Sequence, residues 1–225
     1  MGLKKFLRTN PLTRKFYAHL IDAKQRHIAK KGVQKQGALI IKKMQKILEK
    51  TGYLFFFDMG TLLGMVREGR LLKHDMDIDI GVIVTEEAHK TQLRTLLTSS
   101  GAQLKYEYVV PELGIVEQSY VYQGVKFDIS YYYREVDSDI CYLMYRNPEK
   151  TYSNLQMDVV QLTCPTIAAT TKVPFQGLKV NAPANPEAYL AVRYGENWRI
   201  PDKKYVYWKG PSTRFTSYTG EQVTY

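Results

Sequence analysis

The chain has 225 residues, 44% apolar and 24% charged, with a net charge of +10 at pH 7. Those proportions exclude a disordered or fibrous chain, and the length suits one domain, or one domain with an appendage. Two cysteines, Cys141 and Cys164, make neither a metal-spaced pair nor a disulfide framework, so a reducing cytoplasm is the expected home.

Charge is unevenly placed along the chain. Residues 1–50 hold 14 Lys and Arg against Asp22 and Glu49, while the remaining 175 hold 18 basic and 20 acidic residues. Apolar residues at three- and four-residue spacing predict helices over 13–30 and 35–51; Leu39, Ile40, Met44, Ile47 and Leu48 mark the second, and Gly52 stops it. We divide the chain into a basic helical segment, 1–50, and a domain, 51–225. The basic segment reads as a solvated helical face, as an attachment to anionic lipid, or as a nucleic-acid contact. The near-neutral remainder has no recognisable nucleic-acid motif, which argues against the third. The basic start lacks a signal-peptide core, and no apolar run reaches membrane-spanning length.

Tyr53–Phe57 is a short aromatic run, expected as a buried strand. Gly60 turns the chain into a short helix over Thr61–Arg67, and the alternating segment Met76–Val84 reads as a strand. Thr85 is the expected N-cap of the next helix, with Glu86 and Glu87 in its first turn. Gln103–Val110, Ile115–Gln123 and Val125–Tyr133 follow as strands, the last two joined at Gly124, and Ile140–Tyr145 adds another. Beyond Pro148 the repeated prolines predict short elements and ordered loops, with a helix at Pro186–Tyr194. The result is an α+β chain with a mixed α/β sheet and N-terminal helices.

The most informative stretch lies between Gly60 and Ile80. Asp75, Asp77 and Asp79 alternate, and residues two apart on a strand share a face about 6–7 Å from one another. Clustered carboxylates repel and are expected where a hard cation compensates them. The Gly60-Thr61 turn offers backbone N–H groups to an anion. Asp128, alone among apolar neighbours on a later strand, is either a satisfied edge carboxylate, a further metal ligand, or a base for a hydroxyl. Asp75 ligates a second ion or organises Lys73 and Arg70, and Asp58 is read as structural. Arg67 suits bidentate phosphate contact, against a solvent salt bridge to Glu68. Trp198, Arg199 and the Tyr205–Trp208 cluster either stack on a base or sugar or clamp the C-terminus onto the core. Arg199 is the member of that group suited to a phosphate. His19, His27 and His89 have no spaced partners and read as surface residues.

These residues carry a resemblance. Gly60-Thr61-Leu62-Leu63-Gly64, Val66-Arg67, then Asp75, Asp77-Ile78-Asp79-Ile80, and the closing Tyr194-Gly195, Trp198-Arg199 and Pro201 resemble the LicD/fukutin family of the nucleotidyltransferase superfamily. Lys73, His74 and Met76 depart from its pattern; Lys73 and His74 line the approach and bear on which donor fits. The resemblance implies a nucleotidyltransferase-like catalytic core and a phosphotransferase. Its donor is a CDP-activated alcohol such as choline, ribitol or glycerol, and its acceptor is a hydroxyl of a cell-surface or lipid-linked glycan. It implies Mg²⁺ or Mn²⁺ held by Asp77, Asp79 and Asp128, and donor phosphates on Gly60, Thr61 and Arg67. Transfer of a nucleotide to RNA, protein or a small molecule is the rival enzyme reading; an inactive membrane-bound scaffold is the rival outside catalysis. The expected location is cytoplasmic, with peripheral attachment at the inner membrane face.

Overall fold

Helical spacing continues without interruption from the first predicted helix into the second. In the computed structural model, which describes residues 11–153 and 155–225 (side chains from residue 19 onward), both form one helix, α1 (Pro11–Leu48). Gly32 lies where a break was expected, and Gly37 lies within the second predicted helix. At Gly37 an added Cβ would come 2.3 Å from Leu71, so this glycine serves close packing and not chain reversal. The first ten residues of the basic segment fall outside the described residues.

The aromatic run forms β1 (Phe55–Phe57), and Asp58 caps the helix α2 (Met59–Glu68). Next come β2 (Asp77–Val84), α3 (Glu87–Ser99), β3 (Gln103–Val110), β4 (Gly114–Tyr122) and β5 (Val125–Arg134). Glu86, not Thr85, stands at the N-cap of α3 and makes no side-chain capping bond; the Thr85 hydroxyl meets His89 instead. β4 and β5 turn through Gln123 and Gly124, both at positive φ, as a tight hairpin requires. β1 is antiparallel to β2, and β2 is parallel to β5, with Asp79 opposite Asp128 and Asp77 opposite Lys126.

The proline-rich remainder is more regular than expected. After the expected β6 (Ser138–Tyr145), it contains β7 (Gln156–Pro165), the hairpin β8 (Thr170–Phe175) and β9 (Leu178–Pro183), then α4 (Pro186–Tyr194) and the 12-residue β10 (Thr213–Thr224). β10 lies between β3 and β7, so the order runs β1-β2-β5-β4-β3-β10-β7-β6. β6 returns to the end of β5, pairing Cys141 with Tyr132 and Asp139 with Arg134. Six strands thus close into a barrel, and β1–β2 extend from β5. The mixed sheet expected from the sequence is present; its closure was not in that expectation.

Two faces follow from strand alternation. Ile78, Ile80, Val82, Phe127, Ile129 and Tyr131 point toward α1 and α3, joining Ile40, Ile41, Met44 and Leu48 in one core. The second half of α1 therefore packs into the same core as the strands of residues 51–225. On the opposite face Phe56, Leu62, Leu72, Tyr132, Leu190 and Trp198 form a second core around α2 and α4. The acids of β2 open onto that second face.

Candidate functional site

Strand register lays out the site row by row. One row holds Asp79, Asp128, Ser119 and Tyr106; the row on one side holds Asp77 and Lys126; the row on the other holds Gly81, Ser130, Glu117 and Tyr108. Adjacent strands lie about 4.8 Å apart, so Asp79 and Asp128 are immediate neighbours. The structure therefore brings together the three acids expected to share a site.

Local chemistry fixes the acid at the centre. Asp58 N–H donates to Asp79 O, tying the start of α2 to β2. The turn into α2 uses Met59 at φ 48°, a left-handed conformation rare outside glycine. That turn places Thr61 against Asp79: the Asp79 N–H donates to Thr61 Oγ1 (2.9 Å), and the hydroxyl lies 3.4 Å from Asp79 Oδ2. Thr61 is fully buried, so its hydroxyl positions the acid and is not open to a phosphate.

Asp75 corrects the strand reading. β2 begins at Asp77, and Asp75 sits in the turn before it, exchanging backbone and side-chain bonds with Leu72. Met76 is 36% exposed and is not a core residue of that strand. Asp75 nonetheless reaches the cluster. A Cβ on Gly60 would lie 3.0 Å from its carboxylate, so the absence of a side chain at Gly60 lets the turn and the acid approach.

Electrostatics mark the cluster. Burial, and then the charges of Asp77, Asp128, Asp75 and Asp58, push the Asp79 carboxyl well above the usual range. Burial and Asp77 push Asp75 up to about 7. The Leu72 N–H and Arg67 oppose the rise at Asp75, and a lysine faces the other acids. Lys126 Nζ donates to Asp77 Oδ2 at 3.1 Å and to Asp128 Oδ2 at 2.7 Å. Burial disfavours its charge, but Asp128 and Asp77 outweigh that and hold the ammonium protonated well above its ordinary value. Burial raises the Asp128 carboxyl, with Lys126 opposing and Asp77 adding. Ser119 Oγ donates to the other Asp128 oxygen at 2.6 Å.

Lys126 and Glu117 went unnoticed in the sequence. A lysine on a strand reads as solvated, and only its register opposite Asp77 reveals it. Glu117 lies beside Ser130, 3.4 Å from its hydroxyl, with its carboxyl pushed up to about 8 by burial and Asp128. Asp58 is structural, as expected: fully buried, it caps Met59 N–H and accepts from the hydroxyls of Tyr132 and Tyr189.

Beside the acids lies a cavity of about 900 Å³. Gly60 and Asp75 form its wall toward the cluster, and Arg67, Arg70, Lys73, His74 and Lys203 bring positive or titratable groups. Tyr194, Trp198, Ile200, Pro201 and Tyr205 supply an aromatic and apolar side. Arg67 Nη1 donates to Trp198 O (3.3 Å) and Nη2 to Glu68 (3.0 Å), pinning the closing segment over α2. Arg199 is not among the lining residues. Its guanidinium stacks on Trp198 and pairs with Glu187 at the surface. Trp198 is buried, so it both packs the second core and borders the cavity.

Hard carboxylate oxygens with excess negative charge suit a divalent cation. Among the described residues, however, no three His, Cys, Asp or Glu side chains stand gathered as a finished metal site. The Lys126 ammonium bridges Asp77 and Asp128 instead. No described helix is long and apolar enough to cross a membrane.

The family model described as LicD/FKTN/FKRP, nucleotidyltransferase domain, matches residues 52–185, which contain the whole acid cluster. The ribitol-5-phosphate transferase FKTN of Homo sapiens is 27% identical over 174 residues, 74% of this chain and 34% of its own length. The ribitol 5-phosphate transferase FKRP of Homo sapiens is 26% identical over 164 residues, 69% of this chain and 31% of its own. An uncharacterized protein of Rickettsia typhi is 23% identical over 193 residues, 80% of this chain and 56% of its own. The chain thus spans about a third of the length of the transferases it matches. With the model covering more than half of the residues, the chain belongs to the LicD/FKTN/FKRP family.

Proposed function

We propose that the protein is a metal-dependent phosphotransferase that moves a phospho-alcohol from a CDP-activated donor to a hydroxyl of a cell-surface glycan. The observation that carries this reading is the convergence of Asp77, Asp79 and Asp128 on one face, beside a large cavity with a cationic and an aromatic wall. Kinship to ribitol-5-phosphate transferases supports a phosphorylated polyol as the transferred group. We take β1, α2, β2 and β5 as the nucleotidyltransferase-like core.

The roles follow from placement. Asp77, Asp79 and Asp128 would hold Mg²⁺ or Mn²⁺, which when bound neutralises charge on the donor's phosphates. Thr61 holds Asp79 in place. Arg67, Arg70, Lys73 and His74 line the cavity where the diphosphate would lie, and Trp198 and Tyr205 offer faces for the base. Both oxygens of Asp128 already accept hydrogen bonds, from Ser119 and Lys126. Glu117 has one long contact, so Glu117 is the better-placed group to take the acceptor hydroxyl's proton. The acceptor oxygen then bonds to the phosphorus carrying the alcohol, and the bond to CMP breaks.

The test is incubation with Mg²⁺ or Mn²⁺, an acceptor glycan and CDP-ribitol, CDP-glycerol or CDP-choline, following CMP release and acceptor mass. Acceptor-dependent CMP from one donor is expected. Attachment of AMP or UMP to an acceptor, with no CMP from any donor, would favour nucleotide transfer. No product of either kind, with Asp79→Asn unchanged in every assay, would favour an inactive scaffold.

A further inference from the structure

The outward side of α1 has a pattern that the proposed chemistry does not use. Leu20, Ile28 and Leu39 are 49%, 57% and 56% exposed. Between and beyond them, at three- and four-residue steps, stand Lys24, Lys31, Lys35, Lys42 and Lys46, all exposed. Steps of that size keep residues on one side of a helix, and from Leu20 to Lys46 the ridge runs about 39 Å at 1.5 Å per residue.

The ridge cannot roll inward. The opposite side of the helix carries Ile40, Ile41, Met44 and Leu48 into the core. Gln34 Nε2 donates to Leu72 O at 2.9 Å, and Gln45 donates to Lys179 O and accepts from Asn181 N–H. No acid interrupts the ridge. Asp22 pairs with Arg26, and Glu49, beyond the helix end, pairs with Lys172. Among the described residues none of the five lysines has an ion-pair partner.

We infer that this ridge docks the protein on an anionic lipid bilayer, with α1 lying in the plane of the interface. Charge complementarity calls for a negative partner. The interleaved Leu and Ile side chains select which kind. A nucleic-acid backbone rewards the lysines alone, whereas a bilayer interface takes lysines at the headgroups and apolar side chains at the acyl boundary. Lysine stems can follow the same surface while their ammonium groups stay wet.

The test is sedimentation of the full chain with vesicles of phosphatidylcholine alone or mixed with phosphatidylglycerol. The wild type should pellet with the mixed vesicles and remain soluble with the neutral ones. Reversing Lys31, Lys35 and Lys42 to Glu should weaken binding about a hundredfold. Reversing Lys105, Lys204 and Lys209, exposed elsewhere, changes net charge equally and should have little effect. Replacing Leu20, Ile28 and Leu39 with Ser should weaken binding at high salt, where the charge contribution is screened. All these positions are exposed, so unchanged melting temperatures check the fold. Equal pelleting with neutral vesicles, equal loss in both lysine sets, or ridge-dependent binding to an RNA oligonucleotide without vesicle binding would each overturn the inference.

Discussion

At the residue scale, two side chains that no local pattern distinguishes govern the site. Lys126 holds Asp77 and Asp128 with one ammonium, the position a divalent cation would contest. Lys126→Met should therefore strengthen Mn²⁺ binding about tenfold in calorimetry and lower stability without the ion, because the carboxylates lose their counter-charge. Weaker Mn²⁺ binding by this variant would mean that the lysine assists the metal. Glu117 offers a pH test. Its folded carboxyl titrates near 8, above its ordinary range, so the folded state holds a proton that the unfolded state releases earlier. Stability should therefore fall as pH rises through the window from the ordinary range to about 8, and Glu117→Gln should flatten that slope in denaturant melts. If Glu117 is the base, transfer should rise with pH through about 8, and the glutamine variant should lose about 10²–10⁴-fold in rate with Mn²⁺ binding intact. An unchanged pH–rate profile in that variant would leave Glu117 structural. Asp77 and Asp79 were legible because strand period and chemistry coincide there, whereas Asp75 joins them from a turn. Lys126 and Glu117 were not, since their meaning lies in the pairing of β5 with β2 and β4.

At the element scale, α2 delivers the turn to the acids, and two residues hold it there. Asp58 caps the helix and receives the Tyr132 and Tyr189 hydroxyls, while its charge, among others, favours the ionised form of buried Arg193. Asp58→Ala strands those groups and should cost about 3–5 kcal/mol in chemical denaturation. A loss below about 1 kcal/mol would show that the cap is dispensable. At Gly64 an added Cβ would lie 2.6 Å from Arg70 O and 2.9 Å from Leu72 N, both backbone. Gly64→Ala must displace the loop carrying Lys73 and Asp75, at about 1–3 kcal/mol, and should weaken donor binding as well as stability. Elements were readable where apolar period and glycine punctuation agreed, as at β3, whose predicted and observed limits coincide at Gln103 and Val110. β10 was not, because only Gly220 of its twelve residues is buried, so no apolar alternation marks it, and it follows Pro211. Its strand character comes from pairing with β3 and β7 on either side.

At the scale of the whole molecule, barrel closure and charge balance meet in one measurable quantity. β2 and β4 hold the row in which Asp79 and Asp128 stand side by side, and closing β6 onto the end of β5 ties that strand into the barrel. The sequence foretold which acids would gather but not this rigidity, because closure depends on β7 and β10, more than 70 residues away from β2 in the chain. A fixed scaffold cannot relieve like-charge repulsion by moving the acids apart, and Lys126 supplies one positive charge against Asp75, Asp77, Asp79 and Asp128. A divalent cation that binds only the folded chain should then stabilise it by about 2.7 kcal/mol at a hundredfold excess over its dissociation constant. For a domain of this size about 1 kcal/mol moves the melting temperature by about 2–4 °C, so Mn²⁺ should raise it by about 5–11 °C at neutral pH. Asp79→Asn removes a buried carboxylate that the fold already disfavours as an anion. That variant should melt above the wild type without Mn²⁺ and gain much less when Mn²⁺ is added. An equal rise in both proteins would place the ion elsewhere, and no rise in either would leave Lys126 as the cation this cluster was built around.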